Sequence, residues 1–238
     1  MRLDKYLADM NLGSRKEVKT LIKKGLVSVN GIVIKSDKFQ VETNDQIVFD
    51  GEVIVYQKDF YYLLNKPAGV ISATVDSYEE TVLDLFDDET YRDDLFPVGR
   101  LDKDTEGLLV ITNDGALAHR LLSPKRHVEK EYYAEVAGVM TEQDVEAFAN
   151  GLEIDGGERC LPAKLMIDTV DRSENCSTIR LILHEGKFHQ VKRMVQAVGK
   201  EVVYLKRIRM GGLVLEDDLA LGEYRELTDA DLLVLEAR

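Results

Sequence analysis

Residues 99–114 read GRLDKDTEGLLVITND, with Asp102, Asp104 and Glu106 at alternating positions and Gly107 where a calcium loop makes its turn. An EF-hand loop needs a bidentate acid at its twelfth position and a helix on each side. Counted from Asp102, that position is Asn113, which has no carboxylate to give. Before the loop stands Phe96-Pro97-Val98-Gly99, where proline and glycine argue against an entering helix. After it, Leu108-Leu109-Val110-Ile111-Thr112 is a short apolar, partly β-branched run suited to a buried strand. The stretch therefore reads as an acid-rich loop between two strands, carrying one arginine, Arg100.

The rest of the chain sets the class. At 238 residues there is room for one large domain, or for a small one and a larger one. Hydrophobic residues make up 45% and charged residues 32%, as in an ordinary globular protein. No apolar run approaches the roughly 18 to 20 residues that span a bilayer, and MRLDKYLADM lacks the apolar core of a signal peptide. Cys160 and Cys176 have no CxxC partners, so a reducing cytoplasm is expected, without disulfide framework or zinc cluster.

The net charge of −13 is unevenly spread. Residues 1–38 hold nine Lys or Arg against four acids, and residues 180–209 hold eight against two. Segment 76–94 has nine acids opposed only by Arg92. Two basic islands on an acidic body are expected to be two contact surfaces for a polyanion.

Near the N-terminus, Leu3, Tyr6, Leu7 and Met10 mark one face of a helix that ends at Asn11-Leu12-Gly13. Ser14 and Glu17 form a capping box for a second helix, closed by Gly25, with Val18, Leu21 and Ile22 inward. Arg15, Lys16, Lys19, Lys23 and Lys24 are left facing outward. Asn30-Gly31 between Val27-Ser28-Val29 and Ile32-Val33-Ile34 is a two-residue hairpin signal. This compact unit ends near 56–59. Beyond it the spacing predicts strands at 60–64, 131–137, 163–170, 177–183 and 201–205, and helices at 114–122, 142–150, 188–198 and 228–236. Thr141/Asp144 and Thr228/Asp231 supply two of the helix starts. Strands that outnumber helices and alternate in polarity predict a largely antiparallel α+β domain.

The arrangement RLDKYL…SRKEVKTLIKKGLVSVNGIVI resembles the S4 RNA-binding module. GRLDKDTEGLL resembles the signature loop of RsuA-type ribosomal pseudouridine synthases, EGKFHQVKRM at 185–194 their third motif, and Lys130-Glu131-Tyr132 their tyrosine motif. Leu64-Asn65-Lys66-Pro67 and Gly222-Glu223-Tyr224-Arg225 fit as well, so the resemblance spans essentially the whole chain. It implies an S4-like domain over 1–58, then a mainly antiparallel mixed-sheet catalytic domain over 59–238. It makes Asp102 the catalytic aspartate, Tyr132 the ring packed on the target uracil, and Lys187 the cation paired with Asp102. Lysine cannot make arginine's bidentate fork, so that pair is expected to be a point-charge contact. RNA contacts are expected from Arg100, which helps hold the flipped-out nucleotide, from Arg15, Lys16, Lys19, Lys23 and Lys24, and from His189, Lys192 and Arg193.

The implied reaction breaks an N-glycosidic bond, turns the base and rejoins it through carbon. It needs no redox partner, nucleotide cofactor or metal, and the sequence has no G-x-G-x-x-G or P-loop. The four histidines, His119, His127, His184 and His189, lack metal-ligand spacing as a set. The partner implied is ribosomal RNA, free or as an assembly intermediate, met by a cytoplasmic monomer. Phe188-His189 after Lys187 points to 16S rather than 23S RNA. Two rival readings are a non-catalytic S4-type RNA-binding protein, against which the intact GRLD and GKFHQ motifs speak, and a metal-dependent hydrolase, which Asn113 disfavours.

Overall fold

The computed structural model describes residues 1–236 and separates into two compact units, Met1–Asp59 and Phe60–Arg238. In the first, α1 (Leu3–Asp9) and α2 (Arg15–Lys23) pack over a four-stranded sheet. Its strands are β1 (Val27–Val29), β2 (Ile32–Val33), β3 (Ile47–Phe49) and β4 (Glu52–Ile54), ordered β2-β1-β3-β4. Ser14 and Glu17 make the reciprocal capping box. At the β1–β2 turn Asn30 (φ 51°) and Gly31 (φ 79°) both take the left-handed backbone that a two-residue hairpin demands. Leu3, Leu7, Val18, Ile22, Val27 and Ile47 fill the core. Leu21 of the expected inward stripe is only half-buried.

The second unit is built on one mixed sheet. Its main path is β11 (Lys164–Asp171), β12 (Cys176–Leu183), β8 (Lys130–Ala137), β13 (Glu201–Met210), β7 (Glu106–Thr112), β5 (Tyr61–Lys66) and β15 (Tyr224–Glu226). Two short strands pair off this path, β6 (Phe96–Pro97) with β7 and β14 (Leu213–Val214) with β13. A separate hairpin joins β9 (Glu153–Ile154) to β10 (Glu158–Arg159). All pairings are antiparallel except β13–β7, so the expected α+β class with a largely antiparallel sheet holds. The helices are α3 (Gly115–Leu122), α4 (Glu142–Asn150), α5 (Gln190–Ala197) and α6 (Asp229–Leu235), the second and last with the expected threonine capping boxes. Among the described residues no helix is long and apolar enough to cross a membrane.

Two departures from the sequence reading matter for the site. The strand expected at 201–205 runs on to Met210, because Arg207 and Arg209 find lateral partners that let a charged stretch stay in a sheet. The helix expected from 188 starts at Gln190, because His189 (φ 48°, ψ 34°) is a left-handed turn that reverses the chain.

The central parallel pair is unusually close. A Cβ at Gly107 (φ 102°) would lie 2.2 Å from the Arg207 carbonyl oxygen, so only glycine fits there. This close approach fixes where β7 begins and hence where the loop before it ends. The loop itself, 100–105, is held from beneath by Lys66, which is wholly buried. Lys66 Nζ donates to the carbonyls of Pro67, Asp102, Lys103 and Thr105 at 2.9–3.3 Å. Ser72 Oγ donates to the Leu101 carbonyl and accepts from the Leu101 amide, and the Gly69 amide donates to the Lys103 carbonyl. Lys66→Met keeps the volume but leaves several buried acceptors unmet, and should lower unfolding stability by about 3 kcal/mol. A urea midpoint shift with an unchanged m-value measures it; a loss under about 1 kcal/mol would mean that water replaces the ammonium.

Candidate active site

The three loop carboxylates that suggest calcium in the sequence go to different partners. Asp102 Oδ2 lies 3.2 Å from Lys192 Nζ, and its Oδ1 lies 3.5 Å from His189 Nε2. Asp104, largely exposed, meets the same Lys192 at 2.6 Å. Glu106, already in β7, accepts from the Tyr204 hydroxyl at 2.7 Å. Among the described residues no group of three His, Cys, Asp or Glu is arranged to hold a metal ion. Asn113 is spent elsewhere, accepting from the Phe60 amide and donating to Asp94.

Lys192 is the electrostatic hinge of the loop. Burial opposes its charge, but its hydrogen bonds to Asp104 and Asp102 and their attraction prevail and raise its pKa. The Lys192 hydrogen bond in turn holds the Asp104 carboxyl below its ordinary value. Lys66 is different: burial pushes it down to about 8, only partly offset by Asp104, Asp102 and Glu106.

Asp102 opens into a pocket whose walls include Arg100, Thr105, Tyr132, Lys187, His189 and Leu205. Tyr132 is 9% exposed, on the inward face of β8, whereas Tyr133 looks to the other face. Arg100 is exposed at the same pocket. The fold thus brings Asp102, Tyr132, Arg100, His189 and Lys187 to one place.

It does not pair Lys187 with Asp102. The Lys187 ammonium sits 3.0 Å from Glu158 and 3.6 Å from Glu185, and the Glu158 hydrogen bond raises its pKa. The left-handed turn at His189 explains the exchange. Lys187, before the turn, is directed to β10, while Lys192, on the first turns of α5, reaches back over the loop. Gln190 locks this register, accepting from the Lys187 amide and donating to Glu185. Lys192 was expected only as an RNA contact; here it is the cation on Asp102. Arg193, expected to meet RNA, is bound to Asp155 and Glu158 and to the Asp155 and Phe188 carbonyls, tying α5 to the segment between β9 and β10.

The second basic island is mostly internal wiring. Of its eight cations, Arg180, Lys187, Lys192, Arg193, Lys200 and Arg209 have a carboxylate partner within 4.0 Å. In the first unit Arg15, Lys16, Lys23 and Lys24 are exposed, whereas Lys19 lies 3.7–3.8 Å from Asp37 and Asp4, which answer part of its charge. Sequence reasoning missed Lys66, Ser72, Gln190 and Tyr204. Lys66 does leave a signal, a lysine closing the apolar run Tyr61–Leu64, where a charge is tolerated only with a full set of acceptors.

Comparison with known proteins supplies the family. Residues 60–197 match the family of RNA pseudouridylate synthases, and residues 1–47 match the S4 domain. An RNA pseudouridine synthase of Bacillus subtilis is 49% identical over 99% of this chain and 98% of its own. Ribosomal small subunit pseudouridine synthase A of Vibrio cholerae is 39% identical, over 98% of each chain. Ribosomal large subunit pseudouridine synthase B of Bacillus subtilis is 38% identical over 99% of this chain and 96% of its own. A crystal structure of a pseudouridylate synthase superposes with a TM-score of 0.69 at 36% identity, covering 99% of both chains. With an S4 domain ahead of a mixed-sheet catalytic unit, the chain belongs to the RNA pseudouridylate synthase family.

Proposed function

We propose that this protein converts one uridine of 16S ribosomal RNA to pseudouridine in the cytoplasm, acting as a monomer with Asp102 carrying the chemistry. The observation that supports it best is a carboxylate paired with Lys192 and opening into a pocket that an inward tyrosine also lines. A flipped uracil leaves its stack at a cost of a few kcal/mol. Stacking on an aromatic ring such as Tyr132 returns roughly 1–3 kcal/mol per base. Asp102 then works at the sugar, as a nucleophile on C1′ or as a base on the C2′ proton. Lys192 pairs with that carboxylate and offsets its charge beside the polyanion. Arg100, exposed beside the pocket, helps hold the flipped nucleotide. The small-subunit relative and the Phe188-His189 spelling support 16S RNA. The large-subunit relative, nearly as similar, supports 23S RNA as the second reading.

Mapping pseudouridines in both ribosomal RNAs, in cells with and without the gene, separates the two: one site should vanish from 16S RNA. A vanished 23S site would transfer the assignment.

Asp102→Asn removes charge and nucleophile at constant size, and turnover should fall about 10⁴-fold or more with little change in RNA affinity. Asp104→Asn should keep activity within about tenfold, since Lys192 retains Asp102; equal losses would mean the loop, rather than Asp102, is what matters. On a short substrate that folds without magnesium, tritium release from C5-labelled uridine should survive excess EDTA. Activity lost there and restored by calcium or zinc would overturn the metal-free assignment.

Affinity is assigned to the first unit, because the charge of −13 repels RNA at long range. Replacing Arg15, Lys16 and Lys23 together with glutamine should weaken binding. The log–log salt slope should flatten by about 0.7 to 0.9 per lost contact, with the rate at saturating RNA within a few-fold of the parent. An unchanged salt slope would leave α2 as a solvated face.

A further inference from the structure

Two buried cations of the catalytic unit have no part in the chemistry above. Lys130, the first residue of β8, is 6% exposed and Arg207 in β13 is 3% exposed. Lys130, Tyr132, Ala134 and Val136 are the inward residues of β8, so Lys130 and Tyr132 share one face of the sheet. Arg207 is the register partner of Tyr132 across the β8–β13 pair and leaves on that same face. Leu183 and Leu205, both in the pocket wall, are register partners of Lys130 and Ala134. The two cations therefore lie on the sheet face that lines the pocket, beside the tyrosine on which the base is read to stack.

Neither charge is answered. Lys130 Nζ donates to the Val128 carbonyl at 3.3 Å. Arg207 Nε donates to the Leu108 carbonyl at 2.8 Å, and its Nη2 meets no partner. Among the described residues no carboxylate comes within 4.0 Å of either, and the charge that acts on Lys130 is Arg207 itself. Burial first, and that repulsion second, push Lys130 down to about 8. A chain with 44 acids, which gives a carboxylate partner to most of the cations between 180 and 209, gives none to Lys130 or Arg207. Buried charge of this kind is costly for the fold.

The reaction brings a negative charge to this place. When the N1–C1′ bond breaks, its electron pair stays on N1 and the uracil departs as an anion delocalised over O2 and O4. C1′ is taken by the Asp102 carboxylate, or C2′ loses its proton to it. The base then turns and C5 bonds to C1′, as the C1′–Asp102 ester bond breaks on the first route or as C2′ takes its proton back from Asp102 on the second; the C5 proton then leaves and N1 is protonated. Asp102 cannot stabilise the uracil anion, and Lys192 is engaged by two carboxylates.

We propose that Lys130 and Arg207 form a buried cation pair that stabilises the departing uracil anion from the sheet face that lines the pocket. The pair favours the charged transition state over the neutral bound uridine. This rests on the pseudouridine synthase reading of the Asp102 site.

The test uses the full chain and a short RNA around the mapped uridine, made with uridine or 5-fluorouridine at that position. Fluorine at C5 makes uracil a better leaving group, so it depends less on outside positive charge. Lys130→Met should keep or raise the melting temperature, because it removes an uncompensated charge. Its single-turnover rate, read by chromatography and mass spectrometry as consumption of the N-linked nucleoside because fluorine leaves C5 no proton to lose, should fall about 10²-fold on uridine and far less on 5-fluorouridine, with RNA affinity unchanged. Lys130→Arg should restore most of the rate. Lys130→Gln, which keeps the Val128 hydrogen bond, should behave as Met does and serves if Met prevents folding. Equal losses on the two substrates, or a rate untouched by Met and Gln, would overturn the proposal. Failure of the unaltered protein to form pseudouridine in any ribosomal RNA is a separate result, removing the reading of the site and this inference with it.

Discussion

The ammonium of Lys66 is the contact on which the catalytic unit's geometry depends. Four carbonyls converge on it, three of them from the loop that carries Asp102. A loop without a ladder of its own leaves its carbonyls unmet unless something else supplies donors. A lysine at the end of β5 does so from the core side, and Ser72 and Gly69 add the remaining ties. Asp102 is thereby fixed through its backbone, leaving both carboxylate oxygens for Lys192 and His189. Gly107 sets the far end by letting β7 touch β13. The carboxylate-rich sequence is a consequence of this arrangement: each acid answers a different neighbour around a loop that is held elsewhere.

Much of the fold was legible in the sequence because it is specified locally. A capping box needs residues three apart, and an Asn-Gly turn needs two residues able to take positive φ. Both kinds of signal lie within a few positions, and both turned up where the spacing predicts. One strand and one helix were misjudged at their ends for non-local reasons. Arg207 and Arg209 look like a strand terminator until Leu108 and Glu131 are seen beside them. Phe188 and His189 look like the first turn of α5 until the left-handed backbone at His189 is known.

The site was legible in part, and the same turn accounts for the error in it. Linear spacing cannot tell whether Lys187 or Lys192 meets Asp102, since a single reversal of the chain exchanges them. The charge reading failed similarly: the run 180–209 is basic along the chain but not in space, because its acids come from β8, β10, β11, α4 and the loops. Lys130 was more accessible to inference. The alternation in KEYYAEVA sets it in phase with Tyr132, Ala134 and Val136, so the strand period already sends this lysine inward. Whether a counter-charge waits there could be known only from the neighbouring strands.

That distinction separates two kinds of buried cation in one protein. Lys66 is surrounded by acceptors, and its burial is repaid by the order it imposes on a loop. Lys130 and Arg207 have one carbonyl each and no acid, so the fold gains little from them. In an acidic protein such positive potential cannot be supplied by the surface, where it would be screened by solvent and salt. Within the sheet it is screened far less, and it acts only on what enters the pocket. The outer charge of −13 opposes loose association with any RNA, so attraction is left to local cations. Specificity for one nucleotide is then a matter of where the positive charge lies, not of how much of it the chain carries.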